Sequence, residues 1–240
     1  MGLVGCTAAT RVDDAAARTP APVGLEEEIT YDPPPREFKG LPLLYVDDFE
    51  FSNKAKFVIT NPESWSFERD GRRSVFAFRT ILGPEQPYKP EYRSPISRAT
   101  IEGMRVSDFV FDVWMRSTVP DNPHRDMCLF FGYRNPREFY YVHLGLVGDA
   151  VSNQIHIVNN ADRAPITRKS SPGTPWTDDY HHARVVRDAT SGLIEVYFDD
   201  MSTPIMTAMD RTFSSGRVGF GSFDDGGHID RAVLWGRLAD

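Results

Sequence analysis

Seven side chains of this sequence are of types that bind sugars or move protons: Arg93, Trp114, Arg116, Tyr141, His143, Gln154 and His156. The last six fall in pairs two residues apart, and residues two apart on an extended strand project from one face. If their strands are neighbours, one sheet presents all six. Aromatic rings stack on the C–H faces of a sugar, while imidazole, amide and guanidinium groups hydrogen-bond its hydroxyls. A carbohydrate is the expected ligand. The same alternation also arises in a sheet covered on both sides, where Trp114 and Tyr141 would be core and the histidines would satisfy backbone groups.

Other chemistry is thinly represented. Retaining glycosidases need two carboxyl groups about 5 Å apart, and no Glu-x-Asp-x-x-Glu run occurs. Asp108 and Asp112 share a face but stand alone, and Asp178-Asp179 and Asp199-Asp200 fall at predicted strand ends, where turn formers are common. Asp47 or Asp48 can meet Asp230 if the first and last strands pair, and such hard oxygen ligands suit a structural calcium ion. His181 and His182 are adjacent and so point to opposite faces of a strand. Arg163, Arg168 and Lys169 surround a proline turn as a small basic patch suited to an acidic glycan. Cys6 and Cys128 lie in unlike surroundings, one in a small-residue leader and one in an apolar run, so neither a disulfide framework nor a cysteine zinc site is expected.

The elements that must position these groups are strands. From Leu43 onward, short β-branched and aromatic stretches alternate with turn signals, without helical periodicity beyond two turns. Strands are predicted at 64–69, 74–79, 108–117, 126–133, 138–146, 153–159, 182–188, 193–199, 216–223 and 229–236. Asp70-Gly71, Asn135-Pro136, Ser191-Gly192 and Gly226-Gly227 mark turns between them. Ten or more strands in one open sheet would leave a face unburied, so two stacked antiparallel sheets in a jelly-roll sandwich are expected. Alternation sorts Phe109, Phe111, Val113, Met115, Tyr140, Val142, Leu144, Ile155 and Ile157 inward. Trp176 is expected to anchor its loop by burial.

The opening Tyr45-Val46-Asp47-Asp48-Phe49-Glu50 and the closing Gly216–Phe223 and Ile229–Gly236 segments resemble the ends of concanavalin A-like lectin/glucanase domains. Trp176 before Tyr180–Val186 is an order similar to that of laminin G-like and 3-keto-disaccharide hydrolase-like domains. The resemblance spans about 45–239 and implies an all-β, concanavalin A-like jelly-roll, shared by lectins, glucanases, lyases and adhesion modules. Gln154-Ile155-His156 also resembles an element of the jelly-roll alginate lyases. That likeness implies Arg93 or Arg116 neutralising a uronate carboxylate, His156 as base and Tyr141 as acid. The corresponding Arg-Ser/Thr-Glu and Tyr-Phe-Lys motifs depart here to Arg93-Ser94-Pro95 and Tyr197-Phe198-Asp199.

Residues 1–40 read as a leader and Pro-rich linker, and 41–240 as the sandwich. Leu3-Val4-Gly5-Cys6 resembles a bacterial lipobox, which implies a secreted or envelope-anchored protein with membrane contact only through a lipid on Cys6. A net charge of −7 gives no general attraction to nucleic acid. The expected function is a secreted or surface-anchored domain that binds or acts on a polysaccharide or oligosaccharide. The alternatives are a lyase or 3-keto-glycoside-cleaving enzyme on the same scaffold, and a non-catalytic interaction module.

Overall fold

The computed structural model describes residues 1–2, 29, 31–83 and 85–239. The lipobox-like segment with Cys6 lies outside the described residues. In chain order the first strands are β1 (Glu37–Phe38), β2 (Leu41–Asp47), β3 (Phe57–Ile59), β4 (Trp65–Asp70), β5 (Arg73–Phe78) and β6 (Ser97–Ile101). Then come β7 (Val106–Ser117), β8 (Asp126–Asn135), β9 (Glu138–Gly145), β10 (Gln154–Asn159), β11 (Ala164–Pro165) and β12 (Thr167–Ser170). The chain closes with β13 (His181–Asp188), β14 (Leu193–Phe198), β15 (Met206–Met209), β16 (Arg217–Ser222) and β17 (Gly227–Leu238).

These strands make two antiparallel sheets. One, ten-stranded, runs β1-β2-β17-β7-β13-β14-β15-β12, with β5 also paired to β17 and β4 to β5. The other, seven-stranded, runs β11-β10-β9-β8-β16-β6-β3. All ten predicted strands are present to within two residues at each end. The ones the pattern did not reveal include β3, β6 and β15. Strand β6 is buried throughout although it carries Ser97, Arg98 and Thr100, so its polarity hid it. The expected linker ends in structure: Glu37 and Phe38 pair with Pro42 and Leu41, which moves the start of the folded part ahead of residue 41.

The sheets stack because each has one apolar face. Phe109, Phe111, Val113 and Met115 of β7 meet Tyr140, Val142 and Leu144 of β9 in one core, as period two requires. At one end an aromatic cluster clamps the layers together. Phe76 of β5 stacks on Phe67 at 4.5 Å and lies 4.8 Å from Trp65 and 5.0 Å from Phe57, while Phe220 of β16 meets it edge-on at 6.2 Å. Tilted and edge-on ring pairs add stabilisation beyond their buried area. Trp176 is buried and donates from Nε1 to Leu144 O at 2.7 Å, fixing the loop before β13. In β17 a bulge between Ile229 and Arg231 keeps Ile229 and Ala232 in the core and turns Asp230 and Arg231 outward.

Phe76 sits at the centre of the clamp with no exposed surface. Phe76→Ala is expected to cost about 3–5 kcal/mol in a urea titration, with an unchanged dependence on denaturant. A loss below about 1 kcal/mol would show that the cluster repacks and does not hold the layers.

Candidate functional site

Register decides which of the seven side chains meet. On the seven-stranded sheet His143 lies opposite Cys128 and Gln154, and Tyr141 lies opposite Phe130 and His156. Tyr141, His143, Gln154 and His156 therefore share the outer face, as expected. Trp114 and Arg116 do not join them. They are on β7 in the ten-stranded sheet, pointing outward on the far side of the sandwich. Alternation separates inward from outward but does not say which sheet a strand joins, so two outward pairs of one sheet and one of the other look alike in the sequence.

The outer face of the seven-stranded sheet is also roofed. Tyr92 and Phe223 pack onto Cys128, Phe130, Tyr133, Phe139, Tyr141 and Val158, and the loops holding that roof are tied together. Arg163 N donates to Arg93 O at 3.1 Å, and Arg93 N donates to Asp162 Oδ1 at 2.8 Å. The Arg163 guanidinium lies 4.0 Å from the Phe223 ring centroid and donates to Tyr141 Oη at 3.2 Å. Beneath the roof Tyr141 and His156 are fully buried and stacked, with centroids 4.8 Å apart.

That burial corrects the acid and base expected of these two residues. Neither ring nitrogen of His156 has a hydrogen-bond partner. Burial, and then the positive charges of His143 and Arg163, push its pKa down to about 3. Burial likewise drives the Tyr141 phenol above its usual range. His156 is thus neutral, and neither residue reaches solvent. Gln154 also turns away, donating from Nε2 to Asp149 O at 2.8 Å.

His143 leads instead to acids that the sequence reading missed. Its Nδ1 lies 3.0 Å from Val151 O, and a carbonyl only accepts, so this nitrogen carries the proton. Its Nε2 faces Asp126 Oδ2 at 3.5 Å, beyond ordinary hydrogen-bond length. Asp126, the first residue of β8, accepts from Ser222 Oγ and Phe223 N, each at 2.9 Å. Its backbone N–H donates to Asp225 Oδ2 at 2.8 Å. Burial pushes the Asp126 carboxyl up, but the His143 charge and these hydrogen bonds outweigh it and hold it below the usual range. For His143 burial pulls down, and the Asp126 charge more than restores it. Asp224 and Asp225 are both raised, by burial first and then by the Asp126 charge, Asp225 to about 6. Two acids directly after a strand were the available signal, but the Gly226-Gly227 that follows them read as a plain turn.

The oxygens of Asp126, Asp224 and Asp225 all lie within 4.8 Å of one another, close enough to share a cation. Of the acids expected to hold calcium, Asp47 is buried and takes Lys56 Nζ at 3.0 Å and the Tyr45 and Ser52 hydroxyls at 2.8 Å and 2.7 Å. Asp48 is exposed and accepts from Glu50 N at 3.3 Å, while Asp230 is held by the Arg73 guanidinium and the Tyr31 hydroxyl. Beta-2 and β17 do pair as that reading required.

Beside this cluster an open groove of about 390 Å³ runs between residues 82–96 and the end of β16, lined among others by Gln86, Lys89, Arg93, Phe223 and Asp224. Of the seven side chains first considered, Arg93 is the one that lines it. On the opposite sheet Trp114 stacks on His182 at 4.1 Å. Arg116 pairs there with Asp70 at 3.1 Å, and Asp70 also accepts from Tyr180 Oη at 2.6 Å. Arg168 and Lys169 sit on the edge strand β12, apart from Arg163.

No protein-family model and no curated sequence matches the chain. Solved structures do. The carbohydrate binding module CBM66 from Bacillus subtilis aligns at 14% identity over 73% of this chain and 92% of its own, with a TM-score of 0.52. The Lotus tetragonolobus seed lectin aligns at 15% identity over 82% and 99%, with a TM-score of 0.52. The Bacteroides ovatus mixed linkage glucan PUL GH16, in complex with G4G4G3G product, aligns at 10% identity over 79% and 99%, with a TM-score of 0.51. The chain shares with these structures a two-sheet antiparallel jelly-roll sandwich fold.

Asp225 supplies a pH test. Its folded pKa of about 6 lies above the ordinary 3.8, so ionising it costs stability, a cost absent below the ordinary value and complete above the raised one. In a chelating buffer Asp225→Asn is expected to melt higher than the parent near pH 8, with the difference vanishing toward pH 4. A lower melting temperature near pH 8 would mean that accepting the Asp126 N–H outweighs the crowding of charge.

Proposed function

We propose that the protein binds a polysaccharide or oligosaccharide in the groove of the seven-stranded sheet. The observation that carries this is the groove's composition: the Phe223 ring, an amide from Gln86, a guanidinium from Arg93 and a carboxyl from Asp224 converge on one open cavity of about 390 Å³. An aromatic ring for sugar C–H faces beside directed polar groups is the usual make-up of such sites. The structures that share the fold support the reading: they include a carbohydrate binding module, a seed lectin and a GH16 in complex with G4G4G3G product. The domain would act outside the cell or at its surface, in keeping with the lipobox-like Leu3–Cys6.

Binding is favoured over catalysis because the residues assigned to a lyase, His156 and Tyr141, are sealed under Phe223 and Arg163. A base must come within hydrogen-bond reach of the proton it removes, and nothing in the groove brings substrate to either.

Affinity electrophoresis of the full chain through gels containing a polysaccharide panel tests this. At least one polysaccharide should retard the protein, and Phe223→Ala, checked for folding by near-ultraviolet circular dichroism, should bind about tenfold more weakly, roughly 1.4 kcal/mol. Incubation with the same panel should release neither unsaturated ends nor reducing sugar. Unsaturated ends that disappear in His156→Ala would replace the binding reading with a lyase.

A further inference from the structure

Both outer faces of the sandwich carry arginines, held by carboxylates, by rings or by both. On the ten-stranded sheet Arg73 is paired with Asp230, Arg116 with Asp70 and Arg184 with Asp112, the last through two bonds of 2.6 Å. On the seven-stranded sheet Arg217 pairs with Glu102 at 3.0 Å, but the guanidinium groups near the groove rest on rings. Arg163 and Arg93 lie 4.0 Å and 5.5 Å from the Phe223 centroid. Arg98, only 3% exposed, lies 4.6 Å from the Tyr133 centroid and keeps an Nη1 without a partner.

Rings orient a cation but do not neutralise it. Among the described residues, neither the Arg93 guanidinium nor the Lys89 ammonium makes an ion pair or hydrogen bond, and Arg93 is exposed at the groove. In a chain of net charge −7, two exposed cations that make no ion pair beside one cavity mark the charge of what it meets. Asp224 is the acid that lines the same groove; burial and then the Asp126 charge raise its carboxyl, and the charges of His143, Arg163 and Arg93 only partly offset this. The groove is therefore cationic on the Lys89 and Arg93 side and acidic at the end of β16. A guanidinium fork without a carboxylate partner is matched by a planar carboxylate or a sulfate ester.

Resting on the glycan reading above, we propose that the ligand is an anionic polysaccharide whose carboxylate or sulfate groups are held by Arg93 and Lys89, while the sugar ring packs against Phe223.

The test is isothermal titration of the full chain with alginate and polygalacturonate (carboxylate), dextran sulfate (sulfate), and xylan, laminarin and dextran (neutral), at low and at physiological salt. At least one acidic polymer should bind, and its affinity should fall several-fold as salt is raised. Arg93→Gln, an exposed substitution that leaves the core untouched, should weaken binding roughly tenfold, the loss of one charge-assisted contact. Arg168→Gln on the far edge strand should leave it unchanged. Which acidic polymers bind distinguishes carboxylate from sulfate as the recognised group. Binding of neutral polymers alone, or acidic binding indifferent to Arg93→Gln, would overturn the proposal while leaving a glycan-binding groove. No binding to any polymer would remove both.

Discussion

The outer face of the seven-stranded sheet depends on how deeply Phe220 is driven into the space between the layers. Its ring lies 5.8 Å from Phe57 and 6.2 Å from Phe76, and a glycine on either side lets β16 press against β6. A Cβ at Gly219 would stand 2.2 Å from Ala99 O, and one at Gly221 2.0 Å from Ser97 O. With no side chain at those two positions the strand closes on its neighbour, and the residues that follow are placed by that depth. Ser222 then reaches Asp126, Phe223 becomes part of the roof, Asp224 arrives at the groove and Asp225 at the Asp126 backbone. Packing in the core thus sets the position of charge on the surface.

Legibility in the sequence divided along the same line. In and out were readable, because a pleated strand has a period of two: Tyr140, Val142 and Leu144 were placed correctly in the core, and Tyr141 and His143 on the other side. Which sheet a strand joins was not, since that depends on pairings between residues far apart in the chain. Trp114 and His156 were joined on paper and are separated by the full sandwich. The roof was also invisible. Residues 79–96 contain four prolines and little apolar periodicity, so they read as a loop, and only the fold shows Tyr88 and Tyr92 turned down onto the sheet. The alternative that Tyr141 belongs to a sheet covered on both sides is what the structure contains.

The two faces illustrate two ways of keeping polar groups on a sheet without losing stability. On the ten-stranded side, each of three arginines is matched to a carboxylate, and Asp70 gathers a phenol and a guanidinium on one side chain. Such neutralised networks hold strands in register. On the seven-stranded side Arg217 keeps a carboxylate partner in Glu102, while Arg93, Arg98 and Arg163 rest on rings. Ring contacts give direction at little cost in net charge, which leaves the field of the arginines available to solvent. Burial is used there to hold His143 and Asp126 together and to keep His156 neutral.

The path by which the chain enters the domain has a consequence for how the groove is presented. Asp32 O accepts from Arg231 Nη2 and Pro35 O accepts from Trp235 Nε1, both at 2.8 Å, and Phe38 packs on Trp235. These contacts lay residues 31–38 across the ten-stranded sheet, on the side of the molecule opposite the groove. The chain thus enters the domain across the face opposite the groove, and residues 31–38 leave the mouth of the groove uncrossed.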